Sequence, residues 1–329
     1  YVDEGLAKAH RQLMPSMEAY FALRPGLCHL VRPPETVPGG ERTKNGWNVV
    51  QSIMTTIGHA HLCRHSFVLA IGGGSVLDMV GFAASLAHRG IRLIRVPTTV
   101  LAQCDAGVGV KTGMDEHGMK NFAGTFAPPF AVLVDFHLLR TLEPKYWIGG
   151  LSEAFKVALI KDACLFAYLC RNARRLRRRD GATIERVVRR TAILHLDHIR
   201  RGGDPFESGS ARPLDFGHWA AHKLEVLSHY RLGHGQAVSI GIALDSYYAA
   251  RKNFISVRQR DGIVRALSAV GLPVWDDLLD ADDEAGRPAV LAGLEEFREH
   301  LGGRLTITLP RGIGGKADVH SIDMTVMKD

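Results

Sequence analysis

Two lysines and an asparagine stand out in residues 104–121, CDAGVGVKTGMDEHGMKN, where glycines separate the polar side chains. Lys111 and Lys120 carry ammonium groups, and Asn121 carries a carboxamide that can donate hydrogen bonds. Such donors suit the oxygens of a phosphate ester, and the glycines let the backbone approach a ligand closely. The stretch follows an apolar strand that ends at Val96. We therefore predict a turn-rich loop that forms a pocket for an anionic group.

A second pattern, FVLAIGGGSVLDMV, joins a predicted strand at Phe67–Ile71 to a predicted helix over residues 75–88. Between them, Gly72–Gly74 would leave the first amides of the helix open to a pyrophosphate, where aligned peptide dipoles place positive charge. The spacing differs from G-x-G-x-x-G, so by itself it fits a nucleotide site and a tight turn equally well. The next apolar strand leads to Thr98 and Thr99, whose hydroxyls could reach a nicotinamide or a ribose.

Potential metal ligands lie in the second half of the chain. Glu153 and Lys156 are three residues apart in LSEAFK, and His218 and His222 are four apart in DFGHWAAHKLE, so each pair shares one helix face. His234 follows at a glycine-flanked helix start. Each histidine alone is typical of a hydrogen-bonded structural group. Together, one carboxylate and two imidazoles predict a zinc site with open coordination positions, and the lack of H-E-x-x-H argues against a metalloprotease.

Length and composition limit the class of protein. The 329 residues, 46% hydrophobic and 23% charged, suffice for two globular domains. No run of eighteen apolar residues occurs, which argues against a membrane-spanning helix. Five cysteines without a C-x-x-C pair favour reduced thiols and a cytoplasmic location, so we expect no structural disulfide.

The net charge of +7 comes from one segment. Residues 171–190 contain nine arginines against Asp180 and Glu185, a balance of +7, so the remainder of the chain sums to zero. The arginines cover several sides of a predicted helix, and no aromatic residues are interleaved for base stacking. A solvated helix face is therefore favoured over a nucleic-acid site.

The hydrophobic pattern changes near residue 137. We predict an α/β domain with a parallel sheet over residues 1–136, whose last strand is 131–135, and an all-α domain over residues 137–329. Apolar residues at three and four spacing predict helices at 151–170, 183–200, 211–228 and 236–252.

Six blocks, in this order, resemble 3-dehydroquinate synthase and the wider sugar phosphate cyclases. They are IGGGSVLDMVGF, RVPTTVLAQCDAGVGVKTG, KNFAGTF, LSEAFKVALIKD, DFGHWAAHKLE and HGQAV, and the resemblance covers nearly the whole chain. It implies an NAD-binding α/β domain followed by a helical metal-binding domain, a homodimer, and NAD that is not consumed. The implied reaction oxidises a ketose phosphate, eliminates phosphate, reduces the ketone again and closes a ring by an aldol step.

The resemblance also implies roles for individual residues. The metal, Zn²⁺ or Co²⁺, is assigned to Glu153, His218 and His234. The catalytic residues implied are Asp105, Lys111, Lys156, Asp215 and His222. Substrate contacts are assigned to Arg89, which reaches across the dimer, and to Lys120, Asn121, Arg212 and His300. NAD is assigned to Asp3, Glu41, Lys44, Gly73, Gly74, Ser75, Asp78, Thr98 and Thr99.

Departures from the family pattern bear on the substrate. Asp215 stands where 3-dehydroquinate synthase has an asparagine, Arg212 is displaced by one position, and the two carboxylate-binding lysines of that enzyme have no clear equivalents. A substrate carboxylate about 4 Å from Asp215 would be repelled by about 4 kcal/mol at an effective dielectric near 20. We therefore expect an uncarboxylated substrate such as sedoheptulose 7-phosphate, as in the valiolone-type synthases, whose SARPLD and GGRLTITLPRGIG blocks this chain also resembles.

Alternative functions remain open from the sequence. 3-Dehydroquinate synthase keeps a histidine at the position of His222 and the 2-epi-5-epi-valiolone synthases have lost it, so a carboxylated heptulosonate phosphate is the alternative substrate. A metal-dependent alcohol dehydrogenase of the glycerol dehydrogenase type shares the architecture but has no use for Lys111, Lys120 and Asn121. A protein that binds without catalysing a reaction is a further alternative.

Overall fold

The computed structural model describes residues 1–26, 28–117, 119–206, 212–300 and 302–328, apart from the side chains of residues 42 and 300. The chain divides into two compact units, Tyr1–Glu143 and Pro144–Asp329. Within the described ranges, no helix is both long and apolar enough to cross a membrane.

A parallel five-stranded sheet forms the centre of the first unit. Its strands are β1 (Val2–Asp3), β2 (Thr36–Val37), β3 (Phe67–Gly72), β4 (Arg92–Pro97) and β7 (Ala131–Val132), in the order β2-β1-β3-β4-β7. The predicted strand at 131–135 ends at Val132, because Asp135 already caps a 3-10 helix, Phe136–Thr141.

Helices flank this sheet: α1 (Glu4–Ala9), α2 (Leu13–Ala22), α3 (Asn48–His59), α4 (Gly74–Leu86) and α5 (Val100–Cys104). The strand, glycine turn and helix predicted around Gly72–Gly74 are confirmed, since β3 ends at Gly72 and α4 begins at Gly74. Most of α4 is buried, and Val76, Leu77 and Val80 lie in the core with residues of β3 and β4. The glycine turn is therefore held rigidly between core elements.

The predicted loop at 104–121 is wrong for its second half, which forms an antiparallel hairpin of β5 (Lys111–Glu116) and β6 (Met119–Phe126). Gly113 is one of the glycines of this segment that we expect to let the backbone approach a ligand. It instead faces Gly124 across the ladder, where a Cβ on Gly113 would lie 2.9 Å from the Ala123 carbonyl oxygen. Gly113 therefore lets β5 and β6 approach each other closely. Met114 of the same strand is fully buried.

The second unit is helical, with one small hairpin. Its helices are α6 (Pro144–Lys161), α7 (Ala163–Arg171), α8 (Ala173–Arg177), α9 (Gly181–Arg201), α10 (His218–Leu227), α11 (His234–Arg251), α12 (Val257–Val270), α13 (Ala292–His300) and α14 (Met324–Lys328), and its strands are β8 (Ile307–Pro310) and β9 (Lys316–Val319). The predicted fold class is confirmed, and the β8–β9 hairpin is an addition to the predicted all-α domain.

Two predicted helix boundaries in this unit are wrong. The helix predicted at 151–170 is divided into α6 and α7, because the Asp162 side chain accepts a hydrogen bond from the Leu165 amide as an N-cap. The helix predicted from residue 211, which itself lies outside the described residues, begins at His218, because a 3-10 turn and a left-handed Gly217 precede it. The helices predicted at 183–200 and 236–252 are confirmed as α9 and α11.

Candidate metal centre and cofactor-binding residues

Three predicted metal ligands of the second unit lie together. Glu153 is in the middle of α6, whereas His218 and His234 are the first residues of α10 and α11. Glu153 is fully buried and His218 is 6% exposed. One ligand atom from each of the three residues lies within 4.8 Å of the others. The structure thus gathers a carboxylate and two imidazoles that are widely separated in sequence.

The distances suit a single metal ion. The Glu153 Oε1 atom lies 3.9 Å from His218 Nε2 and 3.6 Å from His234 Nε2. Two ligand atoms of one tetrahedral zinc ion are about 3.4 Å apart, given metal–ligand bonds of about 2.1 Å. The two observed distances would shorten only slightly on metal binding, so this donor set fits a divalent metal.

Hydrogen bonds orient both imidazoles. His218 Nδ1 donates to the Phe216 carbonyl oxygen at 3.1 Å, and His234 Nδ1 donates to Glu225 Oε2 at 3.0 Å. Each bond leaves Nε2 unprotonated and facing Glu153, as a metal ligand requires. Glu225 was not predicted, although its position seven residues after His218 places it on the same face of α10.

A second group of potential ligands, His222, Glu225 and His234, also lies within 4.8 Å. It competes with the first group for His234. We favour the first group, because the Glu225–His234 contact through Nδ1 has the length of a hydrogen bond and directs the opposite nitrogen, Nε2, towards Glu153. The His222 ring lies beside the centre, 5.5 Å from the His218 ring between centroids.

The charged neighbours of the centre control its protonation. Lys156 is buried and pairs with Glu153 Oε2. Burial, and then the Lys156 charge, lower the pKa of His218 to about 4, while the carboxylates of Glu153 and Asp215 act in the opposite direction. His218 is therefore neutral at pH 7 and can bind a metal without losing a proton.

Two other predicted site residues of this unit lie in the segment that precedes α10. Asp215 ends the 3-10 turn two residues before Gly217, and Arg212 directly precedes that turn. Both are half-buried. The side chain of His300 lies outside what the structure describes.

Several predicted cofactor residues meet at one edge of the first unit's sheet. Asp3 ends β1 and caps α1 through Oδ1, which accepts from the Leu6 amide. The Thr98 amide donates to the Gly72 carbonyl oxygen, and a Cβ on Gly73 would lie 3.2 Å from Thr99 Cγ2. Gly74 begins α4 beside them. Carboxyl ends of parallel strands and a helix N-terminus are the usual place for a dinucleotide.

A buried ion cluster of the first unit is centred on Lys44. Its Nζ lies 3.1 Å from Asp78 Oδ2 and 3.9 Å from Glu41 Oε1, and it donates to Asn121 Oδ1. Burial opposes this charge, yet Asp78 and Glu41 hold the pKa of Lys44 above its ordinary value. The predicted cofactor residues Glu41, Lys44 and Asp78 are thus joined with Asn121, a predicted substrate residue.

Glu41 extends this cluster. Its Oε1 lies 3.2 Å from Lys120 Nζ, and its Oε2 accepts from the Ser75 hydroxyl at 2.8 Å. Lys111 is exposed at the start of β5. Asp105 follows α5, and its carbonyl oxygen accepts from the amides of residues 108 and 109. Arg89 is exposed in a left-handed conformation with φ of 64°.

A group of two lysines and a histidine in the second unit was not predicted. Lys161 Nζ, at the end of α6, lies 3.4 Å from His198 Nδ1 on α9. Burial and the Lys161 charge lower the pKa of His198 to about 4, and burial and Lys316 lower the pKa of Lys161. Three positions far apart in sequence form this group, so no local pattern could indicate it.

Comparison with known proteins identifies similar sequences over most of the chain. Residues 35–148 match the 3-dehydroquinate synthase N-terminal family and residues 150–287 match the 3-dehydroquinate synthase C-terminal family. The chain is 38% identical over 266 residues to a 2-epi-5-epi-valiolone synthase of Actinoplanes sp., covering 79% of this chain and 65% of that protein. It is 34% identical over 302 residues to a 3-dehydroquinate synthase of Jannaschia sp., covering 89% of this chain and 79% of that protein.

Solved structures show the same fold. A 2-epi-5-epi-valiolone synthase from Streptomyces hygroscopicus, solved with NAD⁺ and Zn²⁺ bound, is 28% identical with a TM-score of 0.86, covering 99% of this chain and 87% of that one. A 2-deoxy-scyllo-inosose synthase, solved with carbaglucose-6-phosphate, NAD⁺ and Co²⁺, is 21% identical with a TM-score of 0.78, covering 99% of this chain and 88% of that one.

Proposed function

We propose, because this chain belongs to the 3-dehydroquinate synthase family, that it is an NAD- and metal-dependent sugar phosphate cyclase. It converts a ketose 7-phosphate, sedoheptulose 7-phosphate, into a cyclitol and releases phosphate. The observation that carries the proposal is the arrangement of Glu153, His218 and His234, with both Nε2 atoms within 4 Å of one carboxylate oxygen. The metal is Zn²⁺ or Co²⁺.

The residues of the metal centre have separate tasks in this proposal. When bound, the metal would polarise a hydroxyl oxygen of the substrate and NAD would accept and return a hydride. Lys156 keeps Glu153 ionised, because its ammonium group pairs with the second carboxylate oxygen. Glu225 and the Phe216 carbonyl hold the imidazoles in the tautomer that binds metal. His222 can donate or accept a proton beside the centre, because the pKa of an imidazole is near neutral.

The cations of the first unit are assigned to the phosphate. Lys111, Lys120 and Asn121 supply ammonium and amide donors for its oxygens and would stabilise the charge of the departing group. The exposed Arg89 is assigned to the substrate of the partner subunit in a homodimer. Asp105 is assigned to the reacting hydroxyls. The NAD contacts are those at the edge of the sheet and in the Lys44 cluster.

Asp215 is the residue on which we base the choice of substrate. Its carboxylate acts electrostatically on His218, so a negatively charged substrate group near the same histidine would be repelled. A neutral hydroxymethyl or hydroxyl group would not be repelled and could donate a hydrogen bond to Asp215.

A second candidate substrate is the carboxylated 3-deoxy-arabino-heptulosonate 7-phosphate of 3-dehydroquinate synthase. The unpredicted group favours it, because the two lysines, Lys161 and Lys316, and a neutral His198 could donate hydrogen bonds to a carboxylate. His222, which that enzyme also has, supports it further.

The experiment is a steady-state assay of phosphate release with NAD, Zn²⁺ and each of the two sugar phosphates. We expect turnover of sedoheptulose 7-phosphate. Turnover of the heptulosonate phosphate alone would establish the second candidate. Net NADH formation from a simple polyol, without phosphate release, would instead indicate an alcohol dehydrogenase.

A further inference from the structure

A buried carboxylate on α11 holds both neighbours of His218. Asp245 is fully buried. Its Oδ2 accepts a hydrogen bond from the Gly217 amide at 3.1 Å, and its Oδ1 accepts one from the Trp219 indole N–H at 2.8 Å. Trp219 is itself buried. One side chain of α11 thus holds the chain on either side of a proposed metal ligand.

The backbone of Gly217, just before α10, lies in close contact with Gly241 of α11. Gly217 has φ of 78°, which favours glycine, and it directly precedes the first residue of α10. A Cβ on Gly241 would lie 2.0 Å from the Gly217 carbonyl oxygen. Gly241 is four residues before Asp245, so both lie on the same face of α11. This face therefore fixes where α10 begins.

The contact links two of the three proposed ligands. His234 begins α11, and Asp245 lies eleven residues further along that helix, about 16 Å at 1.5 Å per residue. Because the rise per residue of an α-helix is nearly constant, the distance between these two positions along α11 is fixed. Through its bonds to Gly217 and Trp219, Asp245 connects α11 to the position of His218.

Burying a carboxylate lowers the free energy of unfolding unless its partners compensate for the lost hydration. Burial raises the pKa of Asp245 to about 7, and the bonds from Trp219 and Gly217 offset this only partly. An amide or an apolar side chain would avoid that cost in a core. Here each carboxylate oxygen accepts from a different donor, whereas an amide has only one accepting oxygen and its nitrogen would face a second donor.

We propose that Asp245 is a positioning residue of the metal centre, which with Trp219 and Gly217 holds His218 at the distance from Glu153 and His234 that a metal requires. The inference rests on the proposed metal centre. It concerns how tightly this chain holds its metal, and it assigns Asp245 no contact with the substrate.

The test measures zinc affinity by competition with a chromophoric chelator in the whole 329-residue chain, for wild type, Asp245→Asn and Trp219→Phe. Asp245→Asn removes one acceptor with little change of volume, and Trp219→Phe removes the indole donor but leaves a smaller ring. We expect each to weaken zinc binding about 10- to 100-fold, as for groups that orient metal-bound histidines. The double variant should bind about as weakly as the weaker single variant, because both remove one shared interaction. Asp261→Asn, a partly exposed position on α12 paired with Arg260, is the matched control and should bind as wild type does.

The readouts separate positioning from simple stabilisation. The visible spectrum of the Co²⁺-loaded protein reports ligand geometry and should change in Asp245→Asn and Trp219→Phe but not in the control. Lower thermal stability with unchanged zinc affinity and an unchanged Co²⁺ spectrum would overturn the positioning role. If Asp245→Asn does not fold, Trp219→Phe, which leaves the carboxylate in place, decides the question. A wild-type protein that binds no zinc would overturn the metal centre itself, whereas tight wild-type binding with unaffected variants would overturn only this inference.

Discussion

At the scale of single residues, Glu153 illustrates how the centre keeps a charge inside a helical core. One of its oxygens faces two imidazole nitrogens and the other pairs with Lys156. A fully buried carboxylate without such partners would be neutralised by a proton. Lys156 therefore supplies one positive neighbour for this buried carboxylate, and a bound metal would add the second.

Glu153→Gln tests this ligand directly. The amide keeps the volume but loses the charge, so zinc affinity should fall by more than about 100-fold, beyond the loss expected for an orienting group. Glu185→Gln, at an exposed pair with Arg189, should bind zinc as wild type does. Chelator competition measures both. Equal affinity of wild type and Glu153→Gln would exclude Glu153 as a ligand.

Asp215→Asn tests whether the negative charge of Asp215 determines the choice of substrate. Removing the negative charge should raise kcat/KM for the heptulosonate phosphate relative to sedoheptulose 7-phosphate by about tenfold or more, since like charges at close range repel by several kcal/mol before screening. The two substrates are compared in one phosphate-release assay, with Asp261→Asn as the control. An unchanged ratio would mean that Asp215 does not face the discriminating group.

At the scale of elements, close helix contacts determine the spacing of the ligands. A Cβ on Gly235, the neighbour of His234, would lie 2.0 Å from the Gly149 carbonyl oxygen of α6. Gly149 is one turn before Glu153 on that helix. Two glycines thus bring the start of α11 against α6, and a ligand from each helix comes within reach of one ion.

Gly235→Ala should therefore be strongly destabilising. The added methyl group meets rigid backbone, so we expect a loss of about 2 kcal/mol or more in the free energy of unfolding by urea. Gly262→Ala, in α12, is the matched control, because its Cβ would meet no atom within 4 Å. That change should stabilise by up to about 1 kcal/mol through helix propensity. Similar effects of the two substitutions would contradict the proposed close contact.

The same scale shows what the sequence could predict. Apolar spacing indicated α9 and α11 correctly, and the turn before α4 followed from its glycines. The division at Asp162 was missed, because one capping hydrogen bond overrides a continuous apolar pattern. The β5–β6 hairpin was missed, because Gly113 lies within a strand, where it lets the two strands approach closely. Spacing and resemblance grouped Glu153, His218 and His234, and the structure brings them within 4.8 Å of one another. Glu225 and the pair of Lys161 and His198 depend on tertiary contacts, which no local pattern shows.

At the scale of the whole molecule, the excess of basic charge lies in residues 171–190, and several of these arginines contact folded structure. Arg179 lies 5.3 Å from the Trp147 ring centroid and Arg186 lies 4.6 Å from that of Tyr168, while Arg190 pairs with Asp162. Part of the arginine-rich segment thus packs on its own unit. The segment is thus more than the solvated helix face that the sequence predicts, because these three arginines contact side chains of their own unit.

The stability of the metal-free protein should fall in acid. The pKa values of His198 and His218 are lowered to about 4 in the folded state, so unfolding takes up protons between about pH 6.5 and 4 and becomes more favourable as pH falls. Asp245 acts oppositely, because its pKa of about 7 makes the folded state bind the proton more tightly between about pH 4 and 7. His198→Gln should therefore flatten the dependence and Asp245→Asn should steepen it. Urea unfolding from pH 4.5 to 7 measures the slopes, and a shift of both in the same direction would contradict these assignments.

The central claim is that the chain eliminates phosphate from a ketose phosphate while NAD is regenerated. The most direct measurement follows inorganic phosphate and NADH together in a reaction of the zinc-loaded protein with sedoheptulose 7-phosphate and NAD. We predict many turnovers of phosphate release per protein molecule without net NADH, and loss of release when a chelator removes the metal. Accumulation of NADH without phosphate release would contradict the claim.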